Sequence, residues 1–283
     1  MTVEEIVLSL GNRGMDRLAE RLGPCFIRDA ARAIVHLERG NVIVTTGFCV
    51  DGSPETDGPP GAFFVYKALE ELSFRPFLAV DEIVSPLFES EVPEDRLIRF
   101  STEDGLGFDR ARAILDRTDP VLLISVERCG RNRNGVYLNV RGEDIGDRTA
   151  PIDALFLLNH SRLTTVAVGD GGNEIGMGNL VRELRQSALI EQPSVVPADH
   201  LIVSGVSNWG AYGLLAYLQI FARLDLLPSP ERIESYIRTI VRRGAVDGIS
   251  GIPEASVDGF PLEIEKDVAR RLKEAVGRIP SPP

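Results

Sequence analysis

A chain of 283 residues that is 43% hydrophobic has enough apolar material for one large or two small packed domains. Its formal net charge of −11 argues against nonspecific nucleic-acid binding, and no apolar run approaches a membrane span. Cys25, Cys49 and Cys129 are too scattered for a disulfide framework or a zinc ribbon, and the acidic opening MTVEEIVLSL is not a signal peptide. The expectation is a soluble, cytoplasmic protein. The three histidines, His36, His160 and His200, read as structural. The only lysines are Lys67, Lys266 and Lys273, none of them in a glycine-rich loop, which disfavours Schiff-base chemistry.

Residues 2–10 and 24–39 have helical spacing, and Asn41–Thr46 (NVIVTT) reads as a buried strand. Residues 47–62 form a long loop rich in Gly, Pro and acid, leading into a helix over 61–72. Asp57 or Thr56 could cap that helix, but capping does not explain so long a loop after a core strand. Strands follow at 75–80, Leu97–Phe100 and Pro120–Val126, with a helix at 109–117 before the last of them. That last strand runs straight into Glu127, Arg128 and Arg131, and Asn134-Gly135 marks a hairpin-type turn beyond it. Residues 151–160 form an apolar helix.

The stretch 164–180, TTVAVGDGGNEIGMGNL, concentrates the chemistry. A β-branched strand breaks at Gly169 into Gly171, Gly172, Gly176 and Gly178, interleaved with Asp170, Asn173 and Glu174. Helical sequence resumes at Val181–Ser187, so the turn aims amide N–H groups at an anion or serves as a bare strand–helix connection. It is neither a dinucleotide fingerprint nor a Walker loop. A strand at 200–204 leads to Ser207 and Asn208, either of which could cap a helix over 211–224; helices at 230–243 and 262–277 close the chain.

Alternating strands and helices predict a single α/β domain over 1–283, a three-layer, mostly parallel open sheet with helices on both faces, Rossmann-like. Ligands bind beyond the carboxyl ends of such strands, where four polar, Gly-rich loops converge. The acid/base candidates are Asp170, Glu174, Asp57 and Glu55. The binding candidates are Glu127, Arg128, Arg131, Gly169, Gly171, Gly172, Asn173, Ser207 and Asn208. Clustered carboxylates must share protons, pair with Arg128 or Arg131, or hold a divalent cation such as Mg²⁺ or Mn²⁺. Glu127 and Arg128 could equally pair with each other.

The segments GDGGNEIGMG, ETDGPPGA (55–62), ERCGRNRNGVYLN (127–139), PIDALF (151–156) and GVSNWG (205–210) together resemble the carboxyl-terminal domain of D-glutamate cyclase. The resemblance implies cyclisation of D-glutamate to 5-oxo-D-proline with loss of water, a carbon–oxygen hydro-lyase acting on an acidic amino acid. In eukaryotic members this domain follows a separate lyase-like domain that these 283 residues do not include. Chemistry then assigns Arg128, with Arg131, to a substrate carboxylate, and the 169–173 amides with Asn173 to an oxyanion. A metal-dependent hydrolase or phosphatase and a non-catalytic binding module are the competing expectations. Neither nucleic acid nor membrane is an expected partner, and a homo-oligomer remains open.

Overall fold

The computed structural model describes residues 1–11, 13–158, 163–187 and 189–279. Among the described residues six parallel strands form the central sheet: β1 (Asn41–Thr46), β2 (Arg75–Asp81), β3 (Leu97–Phe100), β4 (Pro120–Val126), β5 (Thr164–Gly169) and β6 (His200–Val203). Their order is β3-β2-β1-β4-β5-β6. The inner strands NVIVTT and PVLLISV are apolar on both faces because helices cover both.

Helices α1 (Val3–Leu8), α2 (Met15–Leu22) and α3 (Phe26–His36) precede the sheet. Then come α4 (Pro59–Glu71), α5 (Phe108–Thr118), α6 (Ala154–Leu157) and α7 (Val181–Ser187). The chain continues through α8 (Ser207–Ala222), α9 (Pro230–Arg242) and α10 (Leu262–Arg278). α8 is buried nearly throughout, which suits its all-round apolar sequence; α3, α4 and α10 pack against it. Among the described residues no helix is long and apolar enough to cross a membrane.

Three differences from the sequence reading have simple causes. The short amphipathic α2 is hard to see in the sequence because Gly14 and Gly23 bracket it within about two turns. The expected helix at 151–160 is helical only over Ala154–Leu157 among the described residues; His160 lies outside them. The pieces flanking Asn134-Gly135 make only isolated bridges, because Asn132 Oδ1 accepts the N–H groups of Asn134 (2.9 Å) and Val136 (3.1 Å).

The strand order reverses between β1 and β4, which opens a crevice where their carboxyl-end loops part. The loops after β1, β4, β5 and β6 all arrive there.

Candidate functional site

After β1 the chain makes a small hairpin, Cys49–Val50 with Ser53–Pro54, and returns with Glu55, Thr56 and Asp57. Gly58 follows at φ 93°, where a Cβ would stand 2.6 Å from Thr46 Oγ1 and 2.7 Å from Glu127 Cβ. Only glycine lets this loop lie against the end of β4.

The amino ends of α4 and α8 meet here and cap each other. Asp57 Oδ1 accepts the N–H groups of Gly58 (2.9 Å) and Asn208 (2.8 Å), and Oδ2 accepts that of Ser207 (3.0 Å). In return, Asn208 Oδ1 accepts from Gly58 (3.1 Å) and Gly61 (2.8 Å), and its Nδ2 donates to the Thr56 carbonyl at 3.1 Å. Asp57 therefore caps α8 from about 150 residues away in sequence, and Asn208 caps α4; neither caps its own helix. Two positive helix ends face one small volume.

Ser207 ties that volume together. Its N–H points at Asp57 and also at Asp170 Oδ2 (3.1 Å), while its hydroxyl donates to Glu127 Oε2 at 2.5 Å. Asp57, Glu127 and Asp170 each bring a carboxylate oxygen within 4.8 Å of the others. Glu127 holds φ 46°, a left-handed conformation rare for a non-glycine residue and typical of functional sites.

The cluster contains one cation that the sequence reading missed. Arg13 pairs with Asp170 and, at 2.8 Å, with Asp258. It is delivered by the segment after α1, which lies on the loop after β6 through Gly11 and Gly205; a Cβ on Gly11 would stand 2.6 Å from the Gly205 Cα. Asp258 also has a left-handed backbone, φ 52°, followed by Gly259. The Asp-Gly pair was the available signal for Asp258; nothing local marks Arg13.

Other expected site residues go elsewhere. Glu174 folds back on its own turn, accepting the amides of Asp170 (3.0 Å), Gly171 (2.5 Å) and Gly172 (2.6 Å). The amides expected to face a ligand anion thus serve the protein's own carboxylate, and Glu174 braces the loop instead of entering acid/base reach. Arg128, wholly buried, pairs with Asp81 and donates to the carbonyls of Gly47 (2.8 Å) and Ala150 (2.6 Å). Arg131 holds Asp153 at 2.7 and 2.8 Å beside the Tyr137 hydroxyl. Both guanidinium groups are paired with buried carboxylates and neither lines the cleft, so the geometry does not offer them to a substrate carboxylate, although Arg128 Nε has no partner among the described residues. The Glu127–Arg128 pair does not form, because successive residues point to different sides.

A cleft of about 290 Å³ opens on the cluster. Glu55, Glu127, Asn173, Arg13 and Asp258 line it, and the 139–148 segment overhangs it. Asp57 and Asp170 stand behind Glu127, out of the wall. Asn173 Nδ2 donates to the Leu138 carbonyl at 2.9 Å, and its buried Oδ1 has no partner among the described residues.

Burial dominates the electrostatics. It pushes the Asp57 carboxyl up to about 7, reinforced by Asp258 and opposed by the N–H groups of Asn208 and Ser207. Burial, then the charges of Asp170 and Glu174, raise Glu127 well above the carboxylate range; burial, Asp258 and Asp57 do the same to Glu55. Asp170 is raised by burial against the pull of Arg13. One guanidinium cannot neutralise three carboxylates, so protons must be shared among them near neutral pH. Cys49, at the cleft wall, is pushed up to about 12 by burial and stays a thiol.

The family model described as D-glutamate cyclase-like, C-terminal, matches residues 3–273. The human mitochondrial protein D-glutamate cyclase is 31% identical over 299 aligned positions, which cover 89% of this chain and 47% of the human protein. The chain thus spans about half the length of that relative. Among solved structures, an exopolyphosphatase-related protein from Bacteroides fragilis aligns at TM-score 0.43 and 10% identity, over 88% of this chain and 56% of that one. RecJ in complex with Mn²⁺ from Thermus thermophilus aligns at TM-score 0.39 and 12% identity, over 89% of this chain and 38% of that one. Neither likeness is close enough to bear on the site.

Proposed function

Because the chain belongs to the D-glutamate cyclase-like, C-terminal family, we propose that it closes D-glutamate to 5-oxo-D-proline with loss of water. The observation that carries the reading is the buried cluster of three carboxylates, Asp57, Glu127 and Asp170, that Ser207 ties together.

In the reaction the amine nitrogen attacks the γ-carboxyl carbon. A C–N bond forms, a C–O bond breaks, and two protons pass from the ammonium group to the departing oxygen, which leaves as water. The site must therefore accept protons at one place and return them at another. Glu127 and Glu55 stand on the wall with raised pKa values, so one ionised and one protonated carboxyl can coexist there. Asp57 and Asp170 set how many protons the group holds and reach Glu127 through Ser207. Glu127→Gln should lower kcat by roughly 10²–10⁴-fold with the fold intact. Near-normal turnover in both Glu127→Gln and Glu55→Gln would sink this assignment.

A second reading rests on the spacing of the same oxygens. Asp57, Glu127 and Asp170 form a hard, three-oxygen donor set that suits Mg²⁺ or Mn²⁺ once Arg13 moves off Asp170. A bound cation would polarise the γ-carboxyl oxygen or, in a hydrolase, a phosphoryl oxygen. A rise in melting temperature with Mn²⁺, reversed by chelator and absent in Asp170→Asn, supports it; a flat response removes it.

A further inference from the structure

The turn at the cleft carries an arginine whose guanidinium has no partner among the described residues. Asn139 Oδ1 accepts the backbone N–H groups of Arg141 (2.9 Å) and Glu143 (3.0 Å), and its Nδ2 donates to Glu143 Oε2 at 2.7 Å. With Gly142 at φ 79°, the backbone of Arg141 is held in a fixed turn at the cleft mouth. Its guanidinium makes no hydrogen bond or ion pair among the described residues. The two other arginines that line the cleft both have carboxylate partners: Arg13 pairs with Asp170 and Asp258, and Arg148 with Asp147. Arg141 is exposed, so its guanidinium is hydrated and free to exchange that water for an anionic group that enters the cleft.

The buried end of the cleft has the opposite need. Asn173 Oδ1 is an acceptor without a donor among the described residues, on a residue only 4% exposed, and Glu127 lines the same wall. Buried acceptors are almost always satisfied, so a ligand N–H group belongs there. The cleft is bipolar, with acceptors at the floor and a guanidinium at the rim. That polarity fits an amino acid.

We propose that Arg141 grips the α-carboxylate of an acidic amino acid whose ammonium group lies against Asn173 and Glu127. The choice of the α-carboxylate rests on the ring-closure reading. The amine and γ-carboxyl group react with each other and belong beside the acids, whereas the α-carboxylate passes unchanged into the product. A grip that is equal in ground state and transition state appears in KM and leaves kcat alone. Arg141 is then a specificity-determining residue, and the amide of Asn173 orients the nucleophile instead of holding an oxyanion.

The test compares D-glutamate with 4-aminobutyrate, which keeps the amine and γ-carboxyl group and lacks the α-carboxylate. Calorimetry on the wild type and on Arg141→Ala, with 5-oxoproline formation measured in parallel, separates the claims. The wild type should bind D-glutamate at least about tenfold more tightly than 4-aminobutyrate, and Arg141→Ala should erase that preference while leaving the melting temperature unchanged. Its KM should rise about tenfold or more with kcat within about threefold. Discrimination that is absent in the wild type or survives in Arg141→Ala overturns the proposal, as does a loss confined to kcat. Discrimination lost in Arg141→Ala when the wild type forms no 5-oxoproline leaves the grip standing and removes ring closure.

Discussion

Acidic residues in glycine-rich loops look alike in sequence, and the structure separates them by what their oxygens already hold. Glu174 accepts three amides within its own turn, so Glu174→Gln puts an NH₂ group against an N–H and removes at least one bond. The expected cost is about 1–3 kcal/mol of stability, read as a lower melting temperature, with activity falling because the loop loosens. Glu127→Gln should show the reverse balance, a small stability change with a large loss in kcat. Equal behaviour of the two variants would contradict the division. The sequence marked both acids as chemically important and could not show which faced the cleft. The orientation of Glu127 depends on its left-handed backbone and on Ser207, 80 positions away, and that of Glu174 on the amides of its own turn. Arg128 and Arg131 misled for a related reason: an arginine after a core strand looks identical whether it faces a ligand or a buried carboxylate such as Asp81 or Asp153.

At the level of elements, strand and helix positions were readable because apolar periodicity is local. β3 and β4 fall where the residue pattern puts them, and β1 also matches. The reciprocal capping of α4 and α8 was not readable, since each cap comes from the other helix. One buried element carries a pH signal of its own. Trp209 Nε1 on α8 donates to Glu265 Oε1 on α10 at 2.5 Å, and burial pushes that carboxyl from 4.5 up to about 8. The folded state therefore keeps a proton that the unfolded chain releases between those values. Its stabilising effect is complete below the unfolded pKa and is lost as pH rises toward the folded one. Glu265→Gln keeps the acceptor for Trp209 and removes the titration. Denaturant melts at pH 5 and pH 8 should show the wild type losing on the order of 1–3 kcal/mol more than Glu265→Gln across that range. Parallel losses would show that Glu265 does not titrate there.

Across the whole molecule, an order reversal in a parallel sheet sets the site, and the amino-terminal segment completes it. The convergence of the loops follows from the βα alternation of an open parallel sheet, which is why the four loops were legible in advance, whereas the strand order was not. The contribution of Gly11 and Arg13 was not either, because it depends on two glycine backbones touching across the end of the sheet. Gly11→Ala would force a Cβ within 2.6 Å of the Gly205 Cα and push the segment outward, taking Arg13 with it. Overpacking of this kind costs about 1–3 kcal/mol, and activity well below the melting temperature should fall to the level of Arg13→Gln. Full activity in Gly11→Ala would show that Arg13 is not part of the working site.

The central claim is that this chain, about half the length of its human relative, holds a complete ring-closing site. Incubating the purified chain with D-glutamate and separately with L-glutamate, and detecting 5-oxoproline on a chiral column, tests it directly. The account predicts 5-oxo-D-proline from the D form, little or no product from the L form, and none from Glu127→Gln. Absence of product from D-glutamate, with and without added Mn²⁺, would contradict it.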